Sequence, residues 1–228
     1  MFIYWPSTCG CLLALKFAAF PYLHLSAIRE GVYGIETDVQ VTRDGERVLF
    51  HDRKLSRTTN GHGKIDEVPI EYVRGLDAGL GQQVPLLCEG LSFMKKESAR
   101  KIHVYLELKE TVYGHLDAVL EDVVRLDMLG NVTFISFHHD MLNSLIDAEP
   151  NARVGYSYNL RIPIHEGRLV VVNHSLLTGR KMQLARRKGM SVLAYTVDRQ
   201  DRIRKLSEMG VDGVITNDIL AAKAALRH

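Results

Sequence analysis

The chain contains few of the residues that mark a disulfide-rich or a disordered protein. Its 228 residues include three cysteines (Cys9, Cys11 and Cys88), too few for a disulfide framework, so a reducing compartment is the default. Only 6 prolines occur and 46% of the residues are hydrophobic, a composition that allows a sizeable buried core. We therefore expect a globular, cytoplasmic protein, and secretion or membrane association is less favoured.

An excess of charge of one sign is also lacking. The formal net charge is +2, so the overall charge does not favour nucleic acid as a partner. The first 28 residues carry one formal charge, Lys16, but Pro, Gly, Ser and Thr interrupt this apolar stretch. No basic segment precedes it as in a secretory signal, and a spanning helix needs about 20 consecutive apolar residues. We expect an opening strand and a buried helix here, and no stable membrane insertion.

The chain lacks a Gly-x-Gly-x-x-Gly motif after an early strand, which removes the usual dinucleotide-binding alternative. It also lacks a Gly/Pro/Ser-rich linker, so we predict a single domain over residues 1–228. Strand-like segments alternate with helical ones throughout, a pattern typical of an α/β fold with a parallel sheet. With residues 1–5 as the first strand and 47–51 as a hairpin extension, the pattern predicts a TIM (β/α)8 barrel with a small hairpin and loop insertion after the second strand.

Ionisable residues recur two apart at the ends of two predicted strands. Glu36 and Asp38 end one strand, Glu107 and Lys109 end another, and His51 closes the hairpin. Residues two apart on a strand share a face, and barrel active sites form at the carboxyl ends of the strands. Buried carboxylates need a counter-charge, most simply a divalent cation, and their oxygens suit Mg²⁺ or Ca²⁺. A metal and acid–base site is therefore predicted; solvated strand-end charges with one ion pair are the structural alternative.

Short motifs follow one another in a fixed order over about residues 31–226. They are Gly-Ile-Glu-Thr-Asp-Val (34–39), Thr-Arg-Asp-Gly (42–45), Phe-His-Asp (50–52), Leu-Ser-Arg-Thr-Thr-Asn-Gly (55–61), Leu-Asp-Ala-Gly (76–79), Val-Pro-Leu (84–86), Leu-Glu-Leu-Lys (106–109), Ser-Phe (136–137), Ala-Tyr-Thr-Val (194–197) and Gly-Val-Asp-Gly-Val-Ile-Thr (210–216). Together they resemble the glycerophosphodiester phosphodiesterase family. The resemblance implies a phospholipase C-like TIM barrel, a phosphodiesterase of lipid and glycerol metabolism that cleaves small glycerophosphodiesters to glycerol 3-phosphate and an alcohol.

The resemblance also implies a role for each candidate site residue. Glu36, Asp38 and Glu107 would bind the divalent metal. His51 would serve as general acid or base, and Lys109 would contact the phosphate. A metal and a lysine would neutralise the charge that builds on the phosphate oxygens, and histidine suits proton transfer near neutral pH.

The amino terminus departs from the family pattern. The family has a His-Arg-Gly motif at the end of the first strand and Pro-Glu-Asn-Thr at the next helix. This chain has Trp5 and Pro6 near the first position and residues 17–20 near the second. Neither Trp nor Pro can transfer a proton, so the first of the family's two histidines has no counterpart here.

Three explanations of this departure stay open. The early catalytic residues were lost, which leaves weak or no activity; or the first 20 or so residues are mistranslated and the native protein carries the motif. Otherwise another histidine substitutes: His138 and His174 each follow a predicted strand end, whereas His24 is on a helix. The functional alternatives are a noncatalytic barrel that binds a phosphodiester or a protein partner, and a related lipid phosphodiesterase.

The other conspicuous residues predict structure more than chemistry. Residues 57–60 are equally suited to loop structure and to the substrate side of the site, and the basic residues at 180–181 and 186–188 predict a solvated helix face. The remaining histidines are expected to be solvated or hydrogen-bonded; they are His62, His103, His115, His139, His165 and His228. The sequence leaves the substrate alcohol, the identity of the metal and the oligomeric state open.

Overall fold

A computed structural model describes residues 2–3, 22–97, 102–160 and 168–226 of the chain. The strands are β1 (Phe2–Ile3), β2 (Gly34–Val41), β3 (Arg47–Leu49), β4 (His103–Leu108), β5 (Val132–Ser136), β6 (Arg153–Tyr158), β7 (Leu169–Asn173), β8 (Ser191–Tyr195) and β9 (Gly213–Thr216). The helices are α1 (Tyr22–Arg29), α2 (Ile70–Arg74), α3 (Leu87–Glu97), α4 (Leu116–Arg125), α5 (His139–Ala148), α6 (Gly179–Arg187), α7 (Gln200–Met209) and α8 (Ile219–Leu226). The predicted alternation of strands and helices is thus observed.

The strands form a ring in the order β1-β9-β8-β7-β6-β5-β4-β2, and β3 extends β2 as a hairpin. In this ring, each neighbouring pair from β2 through β4, β5, β6, β7 and β8 to β9 is parallel, so the TIM-barrel prediction is confirmed. The first strand differs from the expectation in its direction, since the described part of β1, Phe2–Ile3, pairs antiparallel with both β2 and β9. Antiparallel pairing satisfies the edges of both neighbours, but it puts the carboxyl end of β1 at the opposite edge of the sheet from those of the parallel strands.

Both faces of β7 and β8 are buried along their central residues, as their largely apolar sequences require. The side chains of Val170, Val172, Leu193 and Ala194 on β7 and β8 are inaccessible to solvent. The helices contribute one face each, and on α4 the buried Val119 and Val123 lie four residues apart, on one side of the helix. No helix within the described ranges combines the length and the apolar character needed to span a membrane.

The predicted insertion follows β2 and has a hydrophobic core of its own. That core comprises Val48, Phe50, Leu55, Ile65, Val73, Leu76, Ala78 and Val84. The hairpin turn closes at Gly45, whose φ of +88° favours glycine, and the backbone N–H of Ile70 donates to the Asp44 carboxylate at 3.1 Å. The Phe50 N–H donates to the Asp38 carbonyl at 3.0 Å. The insertion is therefore tied to the strand that carries Glu36 and Asp38.

Several residues considered above lie outside the described part of the chain. They are Trp5, Pro6, Cys9, Cys11, Lys16, residues 17–20, His165 and His228, together with the side chain of His24. The helix expected in the apolar amino-terminal stretch is described from Tyr22 onward, as α1. The single-domain extent over residues 1–228 stays a prediction.

Candidate active site

Two neighbouring parallel strands bring three carboxylates together. Asp38 on β2 pairs in register with Glu107 on β4, and Glu36 lies two residues before Asp38 on the same face. Glu36 and Asp38 are 6% and 8% exposed. One oxygen from each of the three side chains lies within 4.8 Å of the others. Two buried carboxylates and the half-buried Glu107, all hard oxygen ligands, at this spacing fit a divalent cation such as Mg²⁺ or Ca²⁺.

Lys109 supplies the positive charge beside this cluster. Its Nζ lies 2.7 Å from Asp38 Oδ1 and donates a hydrogen bond to Glu107 as well. Although burial opposes protonation, these two carboxylates raise the pKa of Lys109, so the side chain is an ammonium at neutral pH. Sequence reasoning placed Lys109 toward the phosphate; the structure places it between two of the predicted metal ligands.

Crowding of the carboxylates changes their protonation. Burial, with repulsion from Asp38, raises the pKa of Glu107 to about 8. Burial also raises the pKa of Glu36, and the charge of Asp38 adds to the effect. Both shifts mean that the charged forms are disfavoured without further positive charge, and a bound divalent cation would supply it.

His51 lies beside the cluster, on the wall of a cavity of about 280 Å³. The hairpin carries it there, because β3 pairs with β2 and ends just before it. The cavity is lined by Gln40, His51, Arg53, Glu107, Leu108, Lys109, Glu110, Thr111, Phe137 and His138. An imidazole, an ammonium and a carboxylate thus share one cavity, where they could handle a phosphate ester and its protons.

Asp52 contacts His51 directly, and Arg57 contacts Asp52. Sequence reasoning gave Asp52 no role and left Arg57 open between loop structure and the substrate side of the site. The Nδ1 atom of His51 lies 2.6 Å from Asp52 Oδ1, and Arg57 Nε donates to Asp52 Oδ2. Burial raises the pKa of Asp52, but the hydrogen bonds from Arg57 and His51 outweigh it and lower the pKa below its usual range. The adjacency of Asp52 and His51 was the signal available in the sequence.

The two histidines considered as substitutes have different surroundings. His138, at the start of α5, lines the cavity together with His51. His174 is held by Arg202, whose Nε donates to His174 Nδ1 at 3.1 Å. Burial and the Arg202 charge lower the pKa of His174. Of the two, His138 is the one placed for chemistry in the cavity.

Three of the other described histidines follow the structural expectation. His103 Nε2 lies 2.8 Å from Thr133 Oγ1, and His139 Nε2 lies 3.1 Å from the Ser157 carbonyl. His62 is exposed. These side chains are hydrogen-bonded or solvated, as predicted.

In the polar loop after the hairpin, some residues stabilise the loop itself and one residue contacts the candidate site. Thr59 Oγ1 donates to the Leu55 carbonyl at 2.8 Å, and Asn60 Oδ1 accepts from the Asp77 N–H at 2.9 Å. These contacts hold the loop itself, whereas Arg57 contacts Asp52. The basic side chains at 180–181 and 186–187 on α6 are exposed, which confirms the predicted solvated helix face.

The chain is similar in sequence and in fold to known proteins. A model of the glycerophosphoryl diester phosphodiesterase family matches residues 25–221. A glycerophosphodiester phosphodiesterase from Caldanaerobacter subterraneus subsp. tengcongensis is 28% identical over 210 residues, which are 84% of this chain and 85% of the relative. An Oleispira antarctica phosphodiesterase, solved with the product sn-glycerol-3-phosphate, has a TM-score of 0.77 at 24% identity over 89% of this chain and 88% of its own. A glycerophosphodiester phosphodiesterase structure from Agrobacterium tumefaciens has a TM-score of 0.72 at 24% identity over 90% and 92%.

Proposed function

The chain belongs to the glycerophosphoryl diester phosphodiesterase family, and we propose that it hydrolyses glycerophosphodiesters to glycerol 3-phosphate and an alcohol. The observation that carries the proposal is the cluster of Glu36, Asp38 and Glu107, with Lys109 beside it and His51 on the adjoining cavity. A cation site, a fixed ammonium and an imidazole are the groups that hydrolysis of an anionic diester requires. The cysteine usage supports a cytoplasmic location.

In this proposal Glu36, Asp38 and Glu107 hold a divalent cation, Mg²⁺ or Ca²⁺. The bound cation would neutralise the charge that develops on the non-bridging phosphate oxygens. Lys109 contacts the same phosphate, since its Nζ contacts Asp38 and Glu107 and its side chain also lines the cavity. Lys109 and a cation held by the three carboxylates would thereby place the phosphorus between the cluster and His51.

Hydrolysis moves two protons: one leaves the attacking hydroxyl or water as its bond to phosphorus forms, and one reaches the alcohol oxygen as its bond to phosphorus breaks. His51 takes one of these roles because it lines the cavity with Lys109 and Glu107. We assign the other to His138, which lines the same cavity. His138 is assigned this role because the sequence has no His-Arg-Gly motif that could supply a second histidine. In addition, the carboxyl end of β1 lies at the edge of the sheet opposite to the carboxyl ends of the parallel strands.

The absence of the His-Arg-Gly motif favours a second candidate function, a noncatalytic barrel that binds a phosphodiester in the same cavity. In that case the cation site and Lys109 still retain the ligand, but proton transfer to the alcohol is lost. The two candidates differ in turnover and agree in binding, so an assay of product separates them.

The test is a coupled assay for glycerol 3-phosphate released from glycerophosphocholine in the presence of Mg²⁺ or Ca²⁺. We expect release by the wild type, a loss of about 10²-fold or more in His51→Gln and a similar loss in His138→Gln. His62→Gln, an exposed histidine of the insertion, is the matched control and is expected to leave the rate unchanged. Release at background by the wild type, with cation bound, would favour the noncatalytic barrel.

A further inference from the structure

Asp52 bridges two cationic or titratable side chains with its two oxygens. Its Oδ1 lies 2.6 Å from His51 Nδ1, while its Oδ2 accepts from Arg57 Nε. The carboxylate is one-fifth exposed, and the guanidinium is nearly half exposed. Asp52 thus lies in the middle of a hydrogen-bonded chain of three residues, which runs from the solvent-facing Arg57 to the His51 imidazole in the cavity wall.

The segment that carries Arg57 is fixed to the core of the insertion. Arg57 ends a 3₁₀ turn that begins at Leu55, and the Leu55 side chain is fully buried in that core. The Leu55 N–H donates to the Gly63 carbonyl at 3.1 Å, and the Thr59 N–H donates back to the Leu55 carbonyl at 3.1 Å. The backbone on both sides of Arg57 is therefore ordered by contacts that do not involve the site.

The chemistry of the contact determines which ring nitrogen of His51 carries the proton. An ionised carboxylate is an acceptor only, and the lowered pKa of Asp52 keeps it ionised at neutral pH. A neutral imidazole next to it must therefore donate from Nδ1, which leaves the lone pair on Nε2. Free histidine favours the opposite tautomer, with the proton on Nε2, so the Asp52 contact reverses the intrinsic preference.

We propose that Asp52 is a positioning residue for His51, that it fixes the Nδ1–H tautomer so that Nε2 exchanges protons with the substrate, and that Arg57 holds the carboxylate in this orientation. The inference rests on the proposed role of His51. The Arg57–Asp52 pair is partly exposed, and exposed ion pairs contribute little to stability. Orientation of the imidazole, and not stability, is then the main consequence of these contacts.

The experiment compares Asp52→Ala with Arg57→Ala. Both variants lose the Arg57–Asp52 ion pair, but only Asp52→Ala loses the acceptor on His51 Nδ1. Nitrogen-15 NMR of the imidazole reports the tautomer, with the His51 signals assigned by their absence in His51→Gln. The kcat and KM of each variant come from the glycerol 3-phosphate assay, and Asp201→Ala, which breaks an exposed pair with Arg199, is the control.

We expect the Nδ1–H tautomer in the wild type, Arg57→Ala and Asp201→Ala, and a predominance of Nε2–H in Asp52→Ala. The kcat is expected to fall about 10²-fold in Asp52→Ala and less than about 10-fold in Arg57→Ala, with little change in KM. An Nε2–H tautomer in the wild type, or equal effects of the two variants, would overturn the proposal.

The NMR readout does not depend on turnover, so it keeps this inference distinguishable from the proposed function. A wild type with the Nδ1–H tautomer but no product release would support the positioning contact and contradict the hydrolase. If Asp52→Ala does not fold, the tautomer of the wild type and of Arg57→Ala still decides: Nδ1–H in both supports the proposal, and Nε2–H in the wild type overturns it.

Discussion

The two ends of the β2–β4 strand pair use polar residues in opposite ways. At the amino end, Gly34 pairs with His103, and His103 Nε2 lies 2.8 Å from Thr133 Oγ1. A Cβ at position 34 would lie 2.4 Å from the His103 carbonyl oxygen, so the close approach of the backbones needs glycine. At the carboxyl end, Asp38 pairs with Glu107, and the ammonium of Lys109 lies between them.

The two ends differ in the purpose of their buried polar residues: His103 at the amino end serves the stability of the fold, and the carboxylates with Lys109 at the carboxyl end serve chemistry. Burial lowers the pKa of His103 to about 4, so that end is neutral and its hydrogen bond is satisfied. The carboxyl end instead gathers three carboxylates and one ammonium within a few ångströms, which a stability criterion alone would not favour. We therefore attribute the amino end to stability and the carboxyl end to cation and phosphate binding.

The largest effect is expected from Glu107→Gln at the carboxyl end. Loss of one ligand charge should lower the rate of glycerol 3-phosphate release by about 10³-fold. The free energy of unfolding of the metal-free protein should change by less than about 1 kcal/mol, because the substitution also removes the repulsion that raises the pKa of Glu107. Rates and denaturant unfolding measure the two quantities, and retention of a tenth or more of the wild-type rate would contradict the assignment.

The second largest effect is expected in the free energy of unfolding at acid pH, to which His103 at the amino end contributes. The pKa of His103 is about 4 in the folded protein against 6.5 for the ordinary group, so the unfolded chain binds the proton first as the pH falls. Between pH 6.5 and 4 the free energy of unfolding should therefore decrease by about 3 kcal/mol, roughly a hundredfold in the equilibrium constant, with no contribution above that window. His103→Gln should remove this part of the pH dependence; an unchanged pH profile in the variant would count against the buried neutral state.

The smallest effect is expected from Thr133→Val, which removes the partner of His103 Nε2 and nearly conserves volume. The free energy of unfolding at neutral pH should fall by about 1–2 kcal/mol, because a buried polar nitrogen loses its hydrogen bond. The rate of glycerol 3-phosphate release should stay at the wild-type value when the variant is assayed well below its melting temperature. A loss of activity as large as that of Glu107→Gln would contradict the assignment of the amino end to stability alone.

Much of the fold and of the cluster could be predicted from the sequence because the relevant signals are periodic. Alternating strands and helices predict the barrel, and the spacing of Glu36 from Asp38 and of Glu107 from Lys109 predicts a shared face at the strand ends. The antiparallel direction of β1 was not predictable, since hydrophobic periodicity indicates a strand but not its direction. Its direction depends on the edges of β2 and β9 that it pairs with.

Other parts of the site depend on tertiary contacts that no spacing reveals. His138 and His174 both follow strand ends, and only their neighbours distinguish them: the cavity for one and Arg202 for the other. The Arg57–Asp52 contact similarly depends on the folding of the insertion around Leu55. Loop geometry of this kind is set by packing between distant segments, and local propensity does not determine it.

Calorimetric titration of Mg²⁺ or Ca²⁺ into the wild type and Glu36→Gln tests the central claim most directly. Glu36 is buried within the cluster, and its substitution removes one ligand charge while it preserves size. The wild type should bind one ion, and Glu36→Gln should bind it at least about tenfold more weakly, a loss of about 1.4 kcal/mol or more. Equal affinity of the two proteins would contradict the assignment of the carboxyl end as a cation site.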